Sequence, residues 1–317
     1  MMMTSAFRLL SAAVLLAFAS VASAQTCGGS GIGLQVLGSG GPELAAKRAA
    51  SSYLVWIDGK ARVLVDTGGG SALRFGESGA QMRDLDVVLF THLRADHASD
   101  LPALVDSSWF EGRTRTLPIY GPPGNRVMPS TVAFVRNLFD STRGAYRSLG
   151  EFLSPLDKST YKLEPHDARE PPARIGAPRR TATPVFPVFS NPQMNISALM
   201  VSHGTAPALA FRVEAGGKAI VFAAGNSGNE ALPALALNAD LLIAHDAIPE
   251  NASDAQRAQY MPPSLIGRTA NAAHARQLVL AHRTPATLGH EDETLAAIRK
   301  AYSGPVHFAD DLSCYLP

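Results

Sequence analysis

One octapeptide, Phe90-Thr91-His92-Leu93-Arg94-Ala95-Asp96-His97, constrains this chain more than any other stretch. It ends an apolar run, Val87-Val88-Leu89-Phe90, that reads as a buried strand between the charged Arg83-Asp84 segment and a polar loop. Two imidazoles and a carboxylate thus leave a single strand end in close succession. A loop placed there can aim all three at a common point, as the protein ligands of a metal ion require.

The flanking sequence supplies a scaffold of alternating elements. Gly33–Gly38 reads as a strand, and Ser52–Ile57 with Ala61–Asp66 as a hairpin turning at Asp58-Gly59. Gly68-Gly69-Gly70 lacks the spacing of a phosphate loop. A short helix is expected over Ala72–Gln81. Another is expected after Ser99 as its cap, with Pro102 tolerated in the first turn. Leu117–Pro122 reads as a strand and Thr131–Phe139 as a helix, whereas little regular structure is expected between Ser141 and Pro192. The proline-rich part from Pro165 to Pro192 reads as a surface excursion.

Beyond it come strands at Ile196–Ser202, Ala208–Val213 and Ala219–Ala223. Helices at Asn229–Leu237, Pro263–His274 and Asp292–Ala301 then alternate with strands at Leu241–Ala244, Leu278–Ala281 and Val306–Ala309. Two successive strand-then-helix halves fit two sheets stacked face to face with helices outside.

With 317 residues the chain can bury a sizeable core in one large layered domain or two small ones. Its net charge of +1 and lack of a dense Lys/Arg run point away from a nonspecific nucleic-acid surface, so no nucleic-acid partner is expected. Residues 1–24 have the make-up of an export signal: Arg8, an apolar stretch from Leu9 to Val21, then Ala22-Ser23-Ala24 as a small-x-small cleavage site. The apolar stretch is shorter than the roughly 20 residues that span a bilayer. A mature domain over residues 25–317 is therefore expected in the periplasm or outside the cell, with no membrane association once the signal is removed. Its two cysteines, Cys27 and Cys314, either pair across the chain or remain free thiols.

His92, Asp96 and His97 resemble the His-x-His-x-Asp-His signature of the metallo-β-lactamase superfamily, with Arg94 in place of the middle His. The resemblance runs through most of the mature chain. Val201-Ser202-His203-Gly204, the strand ending at Gly225-Asn226 and Leu278–His282 are similar to the corresponding segments of the ribonuclease Z and arylsulfatase-like branch. It implies an α/β fold, the four-layered αβ/βα sandwich, and a zinc-dependent hydrolase acting on a phosphate, sulfate or related ester. Homodimers occur in that branch. The implied ligand positions are His92, Asp96, His97, His203, Asn226 and His282. Two of the branch's ligands are altered, since Arg94 has no lone pair and Asn226 offers only a neutral carbonyl.

One ion, held by Asp96, His97 and His282 with a position left open, is therefore expected rather than two. Arg94 would hold an anionic substrate or pair with a nearby carboxylate. His245 resembles the branch's support for a proton donor, and Tyr260 falls where that donor is His, so Asp96, Arg94, His245 and Tyr260 form the expected catalytic set. The partner implied is a small anionic or ester substrate. The competing expectation is a relative without turnover that binds an anionic ligand.

Overall fold

The computed structural model describes residues 27–170 and 184–317, so the stretch expected to be an export signal lies outside the described residues, as does part of the proline-rich stretch. Among the described residues, fourteen strands form two sheets of seven. In the first, β1 (Ile32–Gly38), β2 (Ser52–Ile57), β3 (Lys60–Val65), β4 (Val87–Leu89), β5 (Leu117–Gly121) and β6 (Leu163–Asp167) follow one another across the sheet. The second runs, from one edge to the other, through β7 (Phe186–Asn191), β8 (Met194–His203), β9 (Ala206–Ala215), β10 (Lys218–Phe222), β11 (Leu241–His245), β12 (Gln277–Ala281) and β13 (Val306–Phe308). The last strand, β14 (Cys314–Tyr315), returns to the first sheet beside β1.

The period of two along each strand sorts side chains into three cores. In β2, Tyr53, Val55 and Ile57 enter the core between the sheets, whereas Leu54 and Trp56 pack outward. In β11, Leu241 and Ile243 face the same inter-sheet core, while Leu242 and Ala244 pack beneath the helices of the second sheet. Helices α1 (Ser71–Glu77), α2 (Ala95–Ala98), α3 (Leu101–Ser108) and α4 (Thr131–Phe139) accompany the first sheet; α5 (Leu232–Leu235), α6 (Asp254–Arg257), α7 (Pro263–Ala272) and α8 (Glu291–Ile298) accompany the second. The result is the expected four-layered α/β sandwich.

Two local expectations are corrected. Asp100, not Ser99, precedes α3, and its carboxylate instead accepts from the Ala72 amide at the start of α1. The stretch from Ser141 to Pro192 contains a 3-10 helix at Arg147–Phe152 and both edge strands, β6 and β7. Pro165 and Pro187 hid these strands from a pattern reading, yet an edge is where a strand tolerates a residue that cannot donate to the ladder. Cys27 and Cys314 are disulfide-bonded, with Cα atoms 5.6 Å apart. Among the described residues, no helix is long and apolar enough to cross a membrane.

Candidate metal centre

Four strands end at one rim of the sandwich and deliver the histidines. Beyond β4 the chain turns through His92 into α2, which carries Asp96 and His97; β8 ends at His203, β11 at His245, and His282 follows β12. Parallel pairing of β11 with β12 puts His245 opposite Ala281, so His282 lies one step beyond it. Their rings stack with centroids 4.2 Å apart. His97 sits 5.2 Å from His282 and 5.6 Å from His245 by the same measure.

The donor atoms converge. Asp96 Oδ2 lies 3.6 Å from His97 Nε2 and 3.8 Å from His282 Nε2, and ring nitrogens of His97, His245 and His282 all lie within 4.8 Å of one another. Tetrahedral donors about 2.1 Å from a zinc ion stand roughly 3.4 Å apart. Asp96 Oδ2, His97 Nε2 and His245 Nδ1 are buried and have no hydrogen-bond partner among the described residues. Buried polar atoms are otherwise almost always paired, so a cluster of orphans with these chemistries fits a cation. His245, expected to support a proton donor, thus stands beside His97 and His282 in a group that could hold a metal ion.

Burial also disfavours the charged form of four of these imidazoles. It pushes His92, His245 and His282 well below the ordinary range and takes His203 down to about 4, outweighing the hydrogen bond His203 makes to Gln259. Neutral imidazole is the form that offers a lone pair to a metal.

The residue that aims His97 escaped the sequence reading. Asp66, at the end of β3, accepts from His97 Nδ1 at 2.8 Å and from the Thr91 amide and hydroxyl at 2.7 Å each. A carboxylate behind a ligating imidazole fixes its tautomer and orientation. Asp66 has φ 58 and His282 φ 53, so both turn the chain sharply where they present their side chains. His282 Nδ1 is held in turn by Ser51 Oγ at 2.7 Å. The glycine run has a steric purpose: a Cβ on Gly68 would lie 2.3 Å from the Asp96 carbonyl oxygen.

At the other side of the cluster His92 stacks on His203 at 4.6 Å. His203 hydrogen-bonds the Gln259 carbonyl through Nδ1 at 2.9 Å, and its Nε2 lies 3.4 Å from Arg94 Nη1. The Arg94 guanidinium also donates to Gln259 Oε1 at 2.9 Å and stands 3.8 Å from Asp96. It thus points inward, against the nitrogen that would serve a second ion. Asn226, expected among the ligands, commits its polar atoms to its own turn: Nδ2 donates to the Ala223 carbonyl and Oδ1 accepts from the Gly228 amide. The Tyr260 hydroxyl lies 3.3 Å from His282 Nε2, and burial raises it to about 12, so it keeps its proton at neutral pH. A cavity of 590 Å3 opens beside Arg94 and Asp96, walled by Glu43, Leu44, Leu93 and Met128. A larger one, 700 Å3, lies by the Lys60 turn at the far end of the sheets and includes neither Arg94 nor Asp96, so the smaller is the one beside the cluster.

Residues 46–184 match the family model described as the metallo-β-lactamase superfamily. Ribonuclease Z of Mycobacterium sp. (strain KMS) is 30% identical over 295 residues, covering 89% of this chain and 94% of that one. Among solved structures, the metallo-β-lactamase fold protein YhfI from Bacillus subtilis superposes with a TM-score of 0.66 at 22% identity, over 90% of this chain and 98% of its own. The short form of human tRNase Z gives 0.66 at 20% identity with the same coverage. The expectation of no nucleic-acid partner is corrected by these relatives, two of which are named as ribonucleases.

Proposed function

Since the chain belongs to the metallo-β-lactamase superfamily of metal-dependent hydrolases, we propose that it is an exported enzyme cleaving a phosphate, sulfate or related ester with one zinc ion. The phosphodiesters of RNA stand among the candidate substrates, because curated relatives carry the name ribonuclease Z. Asp96, His97, His245 and His282 would hold the ion. The single observation carrying this reading is the set of orphaned, buried donor atoms on Asp96, His97 and His245.

A zinc ion so held supplies Lewis acidity and brings the pKa of water towards neutrality. The protein's own groups do the rest. Asp96 Oδ1, on the Arg94 side, is placed to orient a water molecule and take its proton. Arg94 presents a fixed cation to the ester's anionic oxygens and stabilises charge as it grows, in the place where relatives with the full signature have a histidine. The protonated Tyr260 hydroxyl can donate to the departing oxygen. Leu93, Leu44 and Met128 offer apolar walls to the rest of the substrate. Export is supported by the signal-like residues 1–24 and by the Cys27–Cys314 disulfide, a bond that persists in oxidising compartments.

The test is elemental analysis of mature protein purified without chelator, followed by a screen of aryl phosphodiesters, aryl sulfates and a precursor tRNA. One equivalent of zinc, and turnover abolished by His97→Ala, are expected. Two equivalents would refute the single ion, and no turnover on any ester after zinc loading would refute the hydrolase reading of this site.

A further inference from the structure

The cavity remote from the histidines has a charge composition that its internal pairing does not exhaust. Lys60, Arg62, Arg83, Arg113 and Arg115 line it together with only two carboxylates, Asp84 and Asp86, although the whole chain carries a net charge of +1. Asp86 is shared by Arg115 at 2.5 Å and Arg62 at 3.7 Å, and its second oxygen accepts from Asn191 at 3.3 Å. Asp84 faces Lys60 at 3.8 Å. Both carboxylates are therefore committed.

Two of the five cations, Arg113 and Arg83, have no ion pair among the described residues. Arg113 is only 1% exposed, and its guanidinium is held by carbonyl oxygens of Met82, Leu85 and Thr116 at 2.6, 2.7 and 2.8 Å. These bonds fix the group without cancelling its charge. Its Nε has no partner among the described residues, and neither Arg113 nor Arg83 makes an ion pair there. Burial lowers Arg113 only to about 10, so it remains cationic at neutral pH.

We propose that this cavity is an anion-binding site for a phosphate group, separate from the metal centre. Phosphate suits it better than a lone carboxylate. It brings more than one negative charge and several acceptor oxygens to a surplus of more than one cation, and guanidinium forks match its geometry. Arg113 provides a fixed positive potential at the base, Arg115 is half exposed beside it, and Lys60 and Arg83 close on the ligand from the rim. The β7–β8 turn, through Asn191 and Gln193, forms the opposite wall. A free phosphate and a small monoester present the same group to these side chains.

Calorimetric titration of the zinc-loaded mature protein at low ionic strength, with inorganic phosphate and with glycerol phosphate as separate probes, tests this. A Lys60→Glu/Arg83→Glu variant reverses two exposed charges without touching the buried guanidinium. Saturable binding of either probe, weakened at least about tenfold in this variant while ester hydrolysis is unchanged, is expected. No saturable binding at millimolar concentrations of either probe overturns the proposal. So does binding that survives the charge reversal but is lost in Arg94→Ala, since it would place the anion at the histidines.

Discussion

Asp66 Oδ2 holds His97 Nδ1 at 2.8 Å, so the end of β3 determines which nitrogen of a ligand on α2 is free to face the cluster. Because a carboxylate only accepts, His97 donates to it from Nδ1, which turns Nε2 towards Asp96 and away from Asp66. Asp66→Asn leaves the shape but can turn its amide towards the ring. Zinc affinity is expected to fall roughly 10- to 100-fold, read by competition with a chromophoric chelator. Unchanged affinity would mean that Asp66 serves the fold alone.

The proposal of a single ion rests on Arg94 and Asn226 together. Arg94→His combined with Asn226→Asp restores two donors on the His92–His203 side, and zinc content is expected to rise from one equivalent to two. A double variant still carrying one would show that the geometry around His203, rather than those two side chains, excludes the second.

Gly68 has no room for a side chain. With a Cβ 2.3 Å from the Asp96 carbonyl oxygen and 2.8 Å from the Ala50 backbone, Gly68→Ala must displace main chain that carries a ligand. A loss of about 1–3 kcal/mol in denaturant unfolding is expected, with weaker zinc binding alongside. Gly76→Ala, where nothing lies within 4 Å of the added carbon, is the control and should be near neutral.

Acid should destabilise the metal-free protein in a defined window. His203 titrates near 4 in the fold against 6.5 for an ordinary imidazole, and His92, His245 and His282 are lowered too, each chiefly by burial. Below 6.5 the unfolded chain takes up protons that the fold resists, so stability falls as pH drops and, for His203, levels off below about 4. The melting temperature of chelator-treated protein should hold above pH 6.5 and decline towards pH 4. A flat profile would contradict the buried neutral imidazoles.

Removing the disulfide should cost about 2–5 kcal/mol. Cys314→Ser, compared with the oxidised parent by denaturant titration, measures it, and reductant should weaken the parent while leaving the variant unmoved.

The elements with a clean period were legible beforehand. The β2–β3 hairpin follows its Asp58-Gly59 turn, with both residues at positive φ, and α4 runs from Thr131 to Phe139 behind its Ser130 cap. The edge strands β6 and β7 were not legible, because Pro165 and Pro187 read as breakers until the strands are known to lie at edges. At the site, the histidines at strand ends announced themselves through the octapeptide and the β8, β11 and β12 termini. Asp66 did not, because a single carboxylate after a strand has no spacing partner in sequence; it meets His97 only through the parallel pairing of β3 with β4. His245 was read by its neighbours in sequence, yet its stacking on His282 depends on the register of β11 with β12.

The link between Cys27 and Cys314 spans 287 positions and makes the oxidised polypeptide a covalent ring in all but its short tails. One cut by a protease anywhere inside that ring yields no separate fragment. The two pieces remain fastened at the β1–β14 edge of the first sheet and can refold at an effective concentration set by the tether rather than by dilution. A nick inside the ring thus becomes an injury the oxidised molecule can survive.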